Sequence, residues 1–330
     1  MNRPKIIIGG MWLLVLLLTG LGGLASEPDE QSLKGWWKFR IGDNDEWSST
    51  TYNDANWQEI KVPARWEDEG FRGYDGYAWY RKTVSLGTEL KNKNLILELG
   101  YIDDVDEVFI NGVKIGQSGA FPPRFATAYN AKRTYQIPPD VIRVGQENII
   151  AVRVYDALLE GGIVSGNIRI YSEGTLPPFS ISLTGTWMFN KGRSFDPNDY
   201  DEIQVPAVWE DQGYNDYDGY AVYTRRLLIS EALASQRLIL LAGKIDDADR
   251  LYINGQLIGG TGEYDRRYDR GLYDEFRNYF IPPGMLKAGE ENILEIRVND
   301  IGGFGGIYEG PVGIMTLDQF RKYWQAKRRN

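Results

Sequence analysis

The sequence contains no cysteine and no histidine among its 330 residues. Without cysteine no disulfide framework can form, and without either residue type no Cys/His zinc site can be built. A Ser-His-Asp or Cys-His nucleophile cannot be assembled from this chain. General acid–base chemistry would therefore fall to carboxylates, lysine or tyrosine. The absence of these two residue types excludes more classes of site than any single motif in the sequence does.

Basic residues are outnumbered by acidic ones: 37 Lys and Arg stand against 46 Asp and Glu, giving a formal net charge of −9. This balance argues against a broad electrostatic surface for nucleic acid, so no nucleic-acid partner is expected. The abundant residues are glycine, with 38, and the large aromatics tyrosine and tryptophan, with 21 and 10. Such a composition favours turns and half-buried aromatic strands over helical bundles.

The amino terminus has the order of a secretory signal: basic, then apolar, then small. Arg3 and Lys5 precede a long apolar run, which ends in small residues at Gly23 and Ala25. We predict a signal peptide over residues 1–25, cleaved after Ala25, and a secreted or periplasmic location. An uncleaved membrane anchor is the alternative, because about 20 apolar residues can just span a bilayer.

The remaining sequence is one pattern written twice. The motif Val-Pro-Ala-x-Trp-Glu-Asp-x-Gly begins at Val62 and again at Val205. Further matches follow in the same order, and they begin at Tyr74 and Tyr217, Ile102 and Ile245, Ile110 and Ile253, and Ile137 and Ile281. Two long copies are too few for a solenoid. We therefore predict two domains, over residues 30–173 and 180–316.

Each copy is predicted to be β-structure. Short apolar runs at residues 95–99 and 238–241 have the length of buried strands. An Asn-Gly pair, at Asn111 and Asn254, separates two apolar segments in each copy and tolerates the positive φ values that a two-residue hairpin requires. Only residues 317–330 have a helical period, and they predict a short basic helix. The expected fold class is all-β, with two tandem jelly-roll β-sandwiches.

The motifs also carry a family resemblance. Trp-Glu-Asp-x-Gly, Asp-Gly-x-x-Trp-Tyr-Arg, Ile-Asp-Asp-x-Asp and Asn-Gly follow one another in the first copy. This series resembles the sugar-binding jelly-roll domain of family 2 glycoside hydrolases, and it looks closest to the jelly roll embedded in sialate O-acetylesterases. The resemblance covers nearly all of residues 33–316, once per copy. It implies a galactose-binding-like fold with two antiparallel sheets in each copy.

In such enzymes the jelly roll usually sits beside the catalytic domain. A family 2 hydrolase would add a barrel carrying two catalytic glutamates, for which the two copies leave no segment. We therefore expect a non-catalytic carbohydrate-binding protein that takes a glycan or polysaccharide as partner and requires no cofactor. One alternative is a glycoside or sugar-ester hydrolase, or a subunit of one. Another is an interaction scaffold without sugar binding, which would take a catalytic or cell-surface protein as its partner.

The candidate sugar-binding residues lie in aromatic and acidic segments of loop character. Sugars offer apolar C–H faces to aromatic rings and hydroxyls to charged groups, and a forked arginine suits a carboxylate or sulfate. The predicted contacts are Trp66, Glu67, Tyr74, Asp75, Tyr77 and Arg124 in the first copy, and Trp209, Glu210, Tyr217, Asp218, Tyr220 and Arg266 in the second. The tryptophans have an alternative role as caps of the core, since large aromatics are mostly buried. The arginines have an alternative role in solvated Arg–Asp pairs.

Each copy also has a carboxylate cluster just before its hairpin. The candidate calcium ligands are Asp103, Asp104, Asp106, Asp246, Asp247 and Asp249. Oxygen ligands suit a hard cation such as calcium, and paired carboxylates also serve glycoside hydrolysis. A structural role is the third interpretation, because aspartates entering a turn often accept backbone N–H bonds. The sequence leaves these roles open, so calcium is a possible ligand and no metal is assigned.

Overall fold

The computed structural model of the protein describes residues 30–265 and 272–328. The predicted signal peptide, residues 1–25, lies outside the described residues, as does the candidate sugar-binding residue Arg266. Within the described part, no helix is long and apolar enough to span a membrane. The same part contains twenty β-strands and two α-helices. We refer to residues 30–175 as the first half and residues 181–328 as the second half.

Ten strands make up the first half. They are β1 (Glu30–Ser32), β2 (Gly35–Ile41), β3 (Gln58–Val62), β4 (Gly76–Ser85), β5 (Lys93–Asp103), β6 (Val105–Ile110), β7 (Val113–Ser118), β8 (Lys132–Gln136), β9 (Glu147–Asp156) and β10 (Gly162–Thr175). Short 3₁₀ turns occupy Asp45–Ser48 and Thr88–Leu90. One sheet has the order β1-β10-β5-β8 and the other β3-β2-β4-β9-β6-β7, with antiparallel neighbours.

The second half repeats this strand order. Its strands are β11 (Ile181–Ser182), β12 (Gly185–Lys191), β13 (Asp201–Val205), β14 (Gly219–Leu228), β15 (Leu238–Asp246), β16 (Ala248–Ile253), β17 (Gln256–Thr261), β18 (Phe276–Ile281), β19 (Glu291–Asp300) and β20 (Gly306–Thr316). Its helices are α1 (Glu231–Ala234) and α2 (Leu317–Lys327), with a 3₁₀ turn at Glu210–Gln212. The sheets run β11-β20-β15-β18 and β13-β12-β14-β19-β16-β17. The predicted all-β fold class, built of paired sheets, is confirmed.

Each half has its own hydrophobic core. One cluster of buried residues extends from Leu33 to Ile170 and the other from Leu183 to Ile314. Whether each half also folds alone stays a prediction. At the carboxyl end, Leu317 and Phe320 of α2 pack on the second half beside Met315, so the helix covers part of that half.

Strand β9 shows how the sequence positions functional side chains. Because neighbouring side chains of a strand point to opposite faces, Val152 and Val154 enter the core while Arg153 and Tyr155 lie on the outer face. The strand ends at Asp156, which is buried. One strand thus supplies an outward arginine and, at its end, an inward carboxylate.

Candidate functional site

A cleft of about 350 Å³ lies where the two halves meet, and we call it the junction cleft. Beside it the backbone N–H of Gly119 donates to the carbonyl oxygen of Asp211 at 2.7 Å. Arg124 of the first half forms an ion pair with Asp201 of the second half at 2.9 Å. The cations and rings that line it are Lys114, Arg124, Arg153, Lys191, Phe121 and Tyr214. Neither half alone forms this cleft.

The wall from the first half is an arginine stacked on two rings. The rings of Tyr77 and Phe121 are parallel within 7°, with centres 5.9 Å apart. The guanidinium of Arg153 lies 4.9 Å from the first ring centre and 4.5 Å from the second. Burial alone would lower the pKa of Arg153, but the carboxylates of Asp43 and Glu107 raise it above the ordinary value. The arginine therefore stays charged and holds the rings in place.

The wall from the second half is organised by Asp201. Its carboxylate accepts hydrogen bonds from Arg124 and, at 2.9 Å, from the hydroxyl of Tyr214. Burial would raise the pKa of Asp201, but these partners lower it below the ordinary value. Lys191 lies 5.7 Å from the ring centre of Tyr214. The side chain of Arg124 remains 78% exposed, so a ligand in the cleft can reach its guanidinium.

Of the predicted sugar-binding residues, the structure brings Arg124 and Tyr77 to this cleft or its rim. It places Tyr74 differently, because its hydroxyl donates to the carbonyl oxygen of Tyr77 at 2.7 Å and so fixes the turn. Trp66 lies in the core with no exposed surface, and its indole N–H donates to the hydroxyl of Tyr80 at 2.6 Å. A fully buried ring offers no face to a sugar. This placement favours the core interpretation of the tryptophan over direct sugar contact.

The corresponding residues of the second half behave alike in part. Trp209 has no exposed surface, and the Tyr217 hydroxyl donates to the carbonyl oxygen of Tyr220 at 2.6 Å. The ring of Tyr220 lies beneath Arg193, with 3.6 Å between the guanidinium carbon and the ring centre. Asp265 pairs with that arginine at 2.7 Å. This arginine–tyrosine pair is not among the residues that line the junction cleft.

The acidic candidates differ in their exposure, and several of them come together where strands end. Asp75 and Asp218 are exposed, and Glu67 and Glu210 are half-buried. One carboxylate oxygen from each member of a trio lies within 4.8 Å of the others, and the trios are Asp103, Asp104 and Asp156 in the first half and Asp246, Asp247 and Asp300 in the second. We call these the first and second carboxylate clusters. The peptide bonds that join their paired aspartates are cis.

The sequence-based grouping missed one member of each cluster and included one that belongs elsewhere. Asp156 and Asp300 close the repeated strand segment Arg-Val-x-Asp, and that repeat is the signal that identifies them. Asp106 instead points into the core, where Arg133 pairs with it at 2.7 Å and neither side chain is exposed. Asp249 forms the equivalent ion pair in the second half. These two residues are corrected from candidate calcium ligands to buried ion-pair partners.

Burial and neighbouring carboxylates raise pKa values in the first cluster. Burial, followed by the neighbouring carboxylate of Asp104, raises the pKa of Asp103 to about 7. Burial also raises the pKa of Asp156 to about 7, with the nearby carboxylates of Asp104, Asp75 and Glu67 adding to the shift. The cluster therefore attracts a proton or a cation at neutral pH.

The second cluster shows the same electrostatics. Burial and a hydrogen bond with Asp247 raise the pKa of Asp246 to about 8. Burial and the carboxylates of Asp218 and Asp247 raise the pKa of Asp300 to about 6. Burial also raises the pKa of Glu210. Both halves thus carry a buried carboxylate cluster at the same place in the fold.

Sequence comparisons place this chain among carbohydrate-active relatives over part of its length. No family model matches. A β-glucuronidase of Formosa agariphila is 32% identical over 133 residues, which are 36% of this chain and 12% of that protein. The β-galactosidase BoGH2A of Bacteroides ovatus is 26% identical over 146 residues, which are 41% of this chain and 16% of that protein. The chain thus spans less than a fifth of the length of either relative.

Solved structures give a weaker likeness. A glycosyl hydrolase family 2 member from Bacteroides cellulosilyticus is 17% identical, with a TM-score of 0.38, over 82% of this chain and 31% of that one. A Bacteroides uniformis β-glucuronidase gives the same identity and score over 82% of this chain and 28% of that one. The sequence relatives do confirm that the chain resembles a sugar-binding-type domain of family 2 glycoside hydrolases.

Proposed function

We propose that the chain is an exported, non-catalytic carbohydrate-binding protein whose junction cleft holds the glycan. The observation that carries the proposal is the cleft itself, where the ring of Phe121 and the exposed guanidinium of Arg124 share one concave surface. Flat rings cover the apolar faces of sugars, and charged side chains hydrogen-bond their hydroxyls. Export rests on the basic, apolar and small order of residues 1–25.

The charges of the cleft favour an acidic sugar. Lys114 and Arg153 are already paired with Glu107, at 2.8 Å and 3.0 Å. Arg124 is paired with Asp201, yet most of its side chain faces solvent. Two nitrogens of its guanidinium donate to Asp201, at 2.9 Å and 3.5 Å, and the remaining N–H groups can donate to the carboxylate of a uronic acid. The relative named β-glucuronidase points in the same direction, whereas the relative named β-galactosidase adds a neutral sugar, so glucuronate-containing and galactose-containing glycans are the first ligands to test.

Glu107 and Asp201, the two ion-paired acids that line the cleft, do not suit general acid catalysis. A general acid must hold a proton near neutral pH. Burial would raise the pKa of Glu107, but Lys114 and Arg153 lower it below the ordinary value. The pKa of Asp201 is lowered as well. Both acids therefore remain ionised and ion-paired, so neither of them supplies the proton that hydrolysis requires.

The carboxylate clusters do not suit catalysis either. Retaining glycosidases place two carboxyl groups about 5–5.5 Å apart on either side of the scissile bond. In the first cluster the oxygens lie within 4.8 Å of one another, while Asp104 is 8% exposed and Asp156 is not exposed. A sugar ring cannot pass between carboxylates that are buried against each other. This arrangement supports a role for the clusters other than hydrolysis.

The proposal is tested by screening the mature protein on a glycan array and measuring the Kd of each hit by calorimetry. Phe121→Ala removes the ring and should weaken binding roughly tenfold. The scale is that of aromatic stacking on nucleic-acid bases, which contributes about 1–3 kcal/mol per ring. Arg124→Ala should weaken binding of uronate-containing glycans more than of neutral ones. The matched controls are Phe280→Ala, whose ring is 48% exposed and lies outside the cleft, and Arg226→Ala on the surface.

Both cleft variants should keep the melting temperature of the unchanged protein, since the rings and charges at issue are partly exposed. Unchanged affinity in both would show that the glycan does not occupy the junction cleft. A chain that binds no glycan on the array contradicts the binding role. Turnover of a chromogenic β-glucuronide or β-galactoside by the pure protein would contradict the non-catalytic role.

A further inference from the structure

The first carboxylate cluster lies where three strand ends meet. Asp103 ends β5, and Asp104 follows it directly before β6. Strand β9 pairs with β6, which brings Asp156 at its end beside them. One oxygen of each carboxylate lies within 4.8 Å of the other two. We infer that Asp103, Asp104 and Asp156 bind one calcium ion.

Asp156 has a buried carboxylate oxygen without a hydrogen-bond partner in the described part of the chain, and this points to a bound ligand independently of the number of acids. The residue has no exposed surface. Its Oδ1 atom accepts a hydrogen bond from the backbone N–H of Leu158 at 3.1 Å. Its Oδ2 atom is buried and accepts no hydrogen bond from any residue that the structure describes. A buried carboxylate oxygen without a partner is costly, and coordination to a cation removes that cost.

Glu67 repeats this situation beside the cluster. Both of its carboxylate oxygens are buried and have no hydrogen-bond partner within residues 30–265 and 272–328. Its charge, with those of Asp75 and Asp104, acts on Asp156. Arg133 is the cation that acts on Asp103, but its own side chain is bonded to Asp106. Several carboxylates thus lie close together. Within the described residues, the cationic side chain that acts on them, Arg133, is already paired with Asp106.

The donor atoms select the type of ion. Oxygen-only ligands exclude the sulfur and imidazole sites of zinc, and they suit hard cations. Calcium takes oxygen ligands at about 2.3–2.6 Å, so opposite ligands lie about 4.6–5.2 Å apart. Three oxygens within 4.8 Å of one another are no farther apart than ligands of one such shell can be. Magnesium demands a near-ideal octahedron with ligands at about 2.0–2.1 Å and gives up its water reluctantly, whereas calcium accepts an irregular set of protein oxygens.

The surroundings hold Asp104 in position for this task. Its Oδ1 atom accepts a hydrogen bond from the hydroxyl of Thr127, and its Oδ2 atom accepts one from the backbone N–H of Ala157 at 3.0 Å. Each oxygen keeps a second lone pair for a metal. Such outer contacts orient a ligating carboxylate and raise the affinity of a site.

The second carboxylate cluster repeats the arrangement. Asp300 is 1% exposed, and its Oδ2 atom is buried without a hydrogen-bond partner in the part of the second half that the structure describes. One feature differs: Glu210, at the position of Glu67, accepts a hydrogen bond from the backbone N–H of Gly305 at 3.2 Å. The second cluster therefore has fewer carboxylate oxygens without a hydrogen-bond partner, so it should bind calcium more weakly than the first.

The test is calorimetric titration of the full mature chain with calcium chloride after treatment with a chelator. The unchanged protein should bind one ion at each cluster. Asp156→Asn should remove the tighter event, Asp300→Asn the weaker one, and the double variant both. Asp45→Asn is the matched control, because it makes the same change at an exposed carboxylate and should bind like the unchanged protein. Titration with magnesium chloride should give weaker binding than calcium.

A melting curve separates loss of the ion from loss of the fold. In chelator, Asp156→Asn should melt no lower than the unchanged protein, because the change removes repulsion between like charges. Calcium should raise the melting temperature of the unchanged protein and of Asp45→Asn, and raise that of Asp156→Asn less. If Asp156→Asn does not fold, Asp103→Asn takes its place. Absence of calcium binding at millimolar concentration, or binding by the double variant like that of the unchanged protein, would overturn the inference whatever the outcome for glycans.

Discussion

Replacing Asp106 by alanine should lower the free energy of unfolding of the first half by about 3–5 kcal/mol. Asp106 and Arg133 have no exposed surface, and 2.7 Å separates the carboxylate Oδ1 from the arginine Nε. The substitution leaves a buried guanidinium without its counter-charge. It also removes an acceptor from the hydroxyl of Tyr135, which keeps a hydrogen bond with Ser118 at 2.9 Å.

The magnitude follows from the geometry. Opposite charges whose centres are roughly 4 Å apart attract by about 4 kcal/mol at an effective dielectric constant near 20, which lies within the cost measured for broken buried pairs. The guanidinium of Arg133 also donates to the backbone carbonyl oxygens of Ala128, Ala131 and Asp104. These bonds survive the substitution and limit the loss. Asp106→Asn keeps an acceptor for Arg133, so its cost should lie at the lower end of the range.

Urea unfolding followed by tryptophan fluorescence measures this loss, since the chain has 10 tryptophans. Glu59→Ala is the control, because its pair with Lys38, at 3.1 Å, joins side chains that are 34% and 56% exposed. Breaking an exposed pair costs at most about 1 kcal/mol. If Asp106→Ala destabilises the protein no more than Glu59→Ala does, the buried pair is not the stabilising contact described here. A lost calcium-binding event in Asp106→Ala would return that residue to the carboxylate cluster.

Two further predictions rest on the sequence and the cores. The exported protein should have the intact mass of a chain that starts near Ser26, because the first 25 residues have the order of a cleaved signal peptide. Retention of Met1 in the exported chain would contradict this. Residues 30–173 and 180–316, expressed separately, should each melt cooperatively with β-type circular dichroism, because each half has its own core. If neither fragment folds, the contacts across the junction are required for folding.

The parts of the fold that depend on local chemistry could be predicted from the sequence. The Asn-Gly pair forms the hairpin between β6 and β7, with φ of 52° at Asn111 and 82° at Gly112. Both residues tolerate the left-handed region, and the flanking apolar segments do the rest. The convergence of Asp156 with Asp104 was not predictable in this way, because it joins residues far apart in the chain through the pairing of β9 with β6.

The candidate site was predictable only in part. Arg124 was found from its residue type, but Asp201 was not, because their contact depends on how the two halves meet. Residue type alone was also a poor guide for Trp66, because an indole ring can either stack on a sugar or fill a hydrophobic core. The structure decides the matter, because the indole N–H finds its partner in Tyr80 inside the core.

Three acids within four residues show why spacing alone did not suffice. A separation of two predicts that Asp104 and Asp106 share a face of one strand. Strand β5 ends at Asp103 and β6 begins at Val105, so Asp104 lies at a break between strands and joins the first carboxylate cluster. Asp106 falls on the core face and requires Arg133, while Glu107 falls on the outer face and pairs with cations of the junction cleft. The position of the strand break, rather than the composition of the motif, assigns each carboxylate its role.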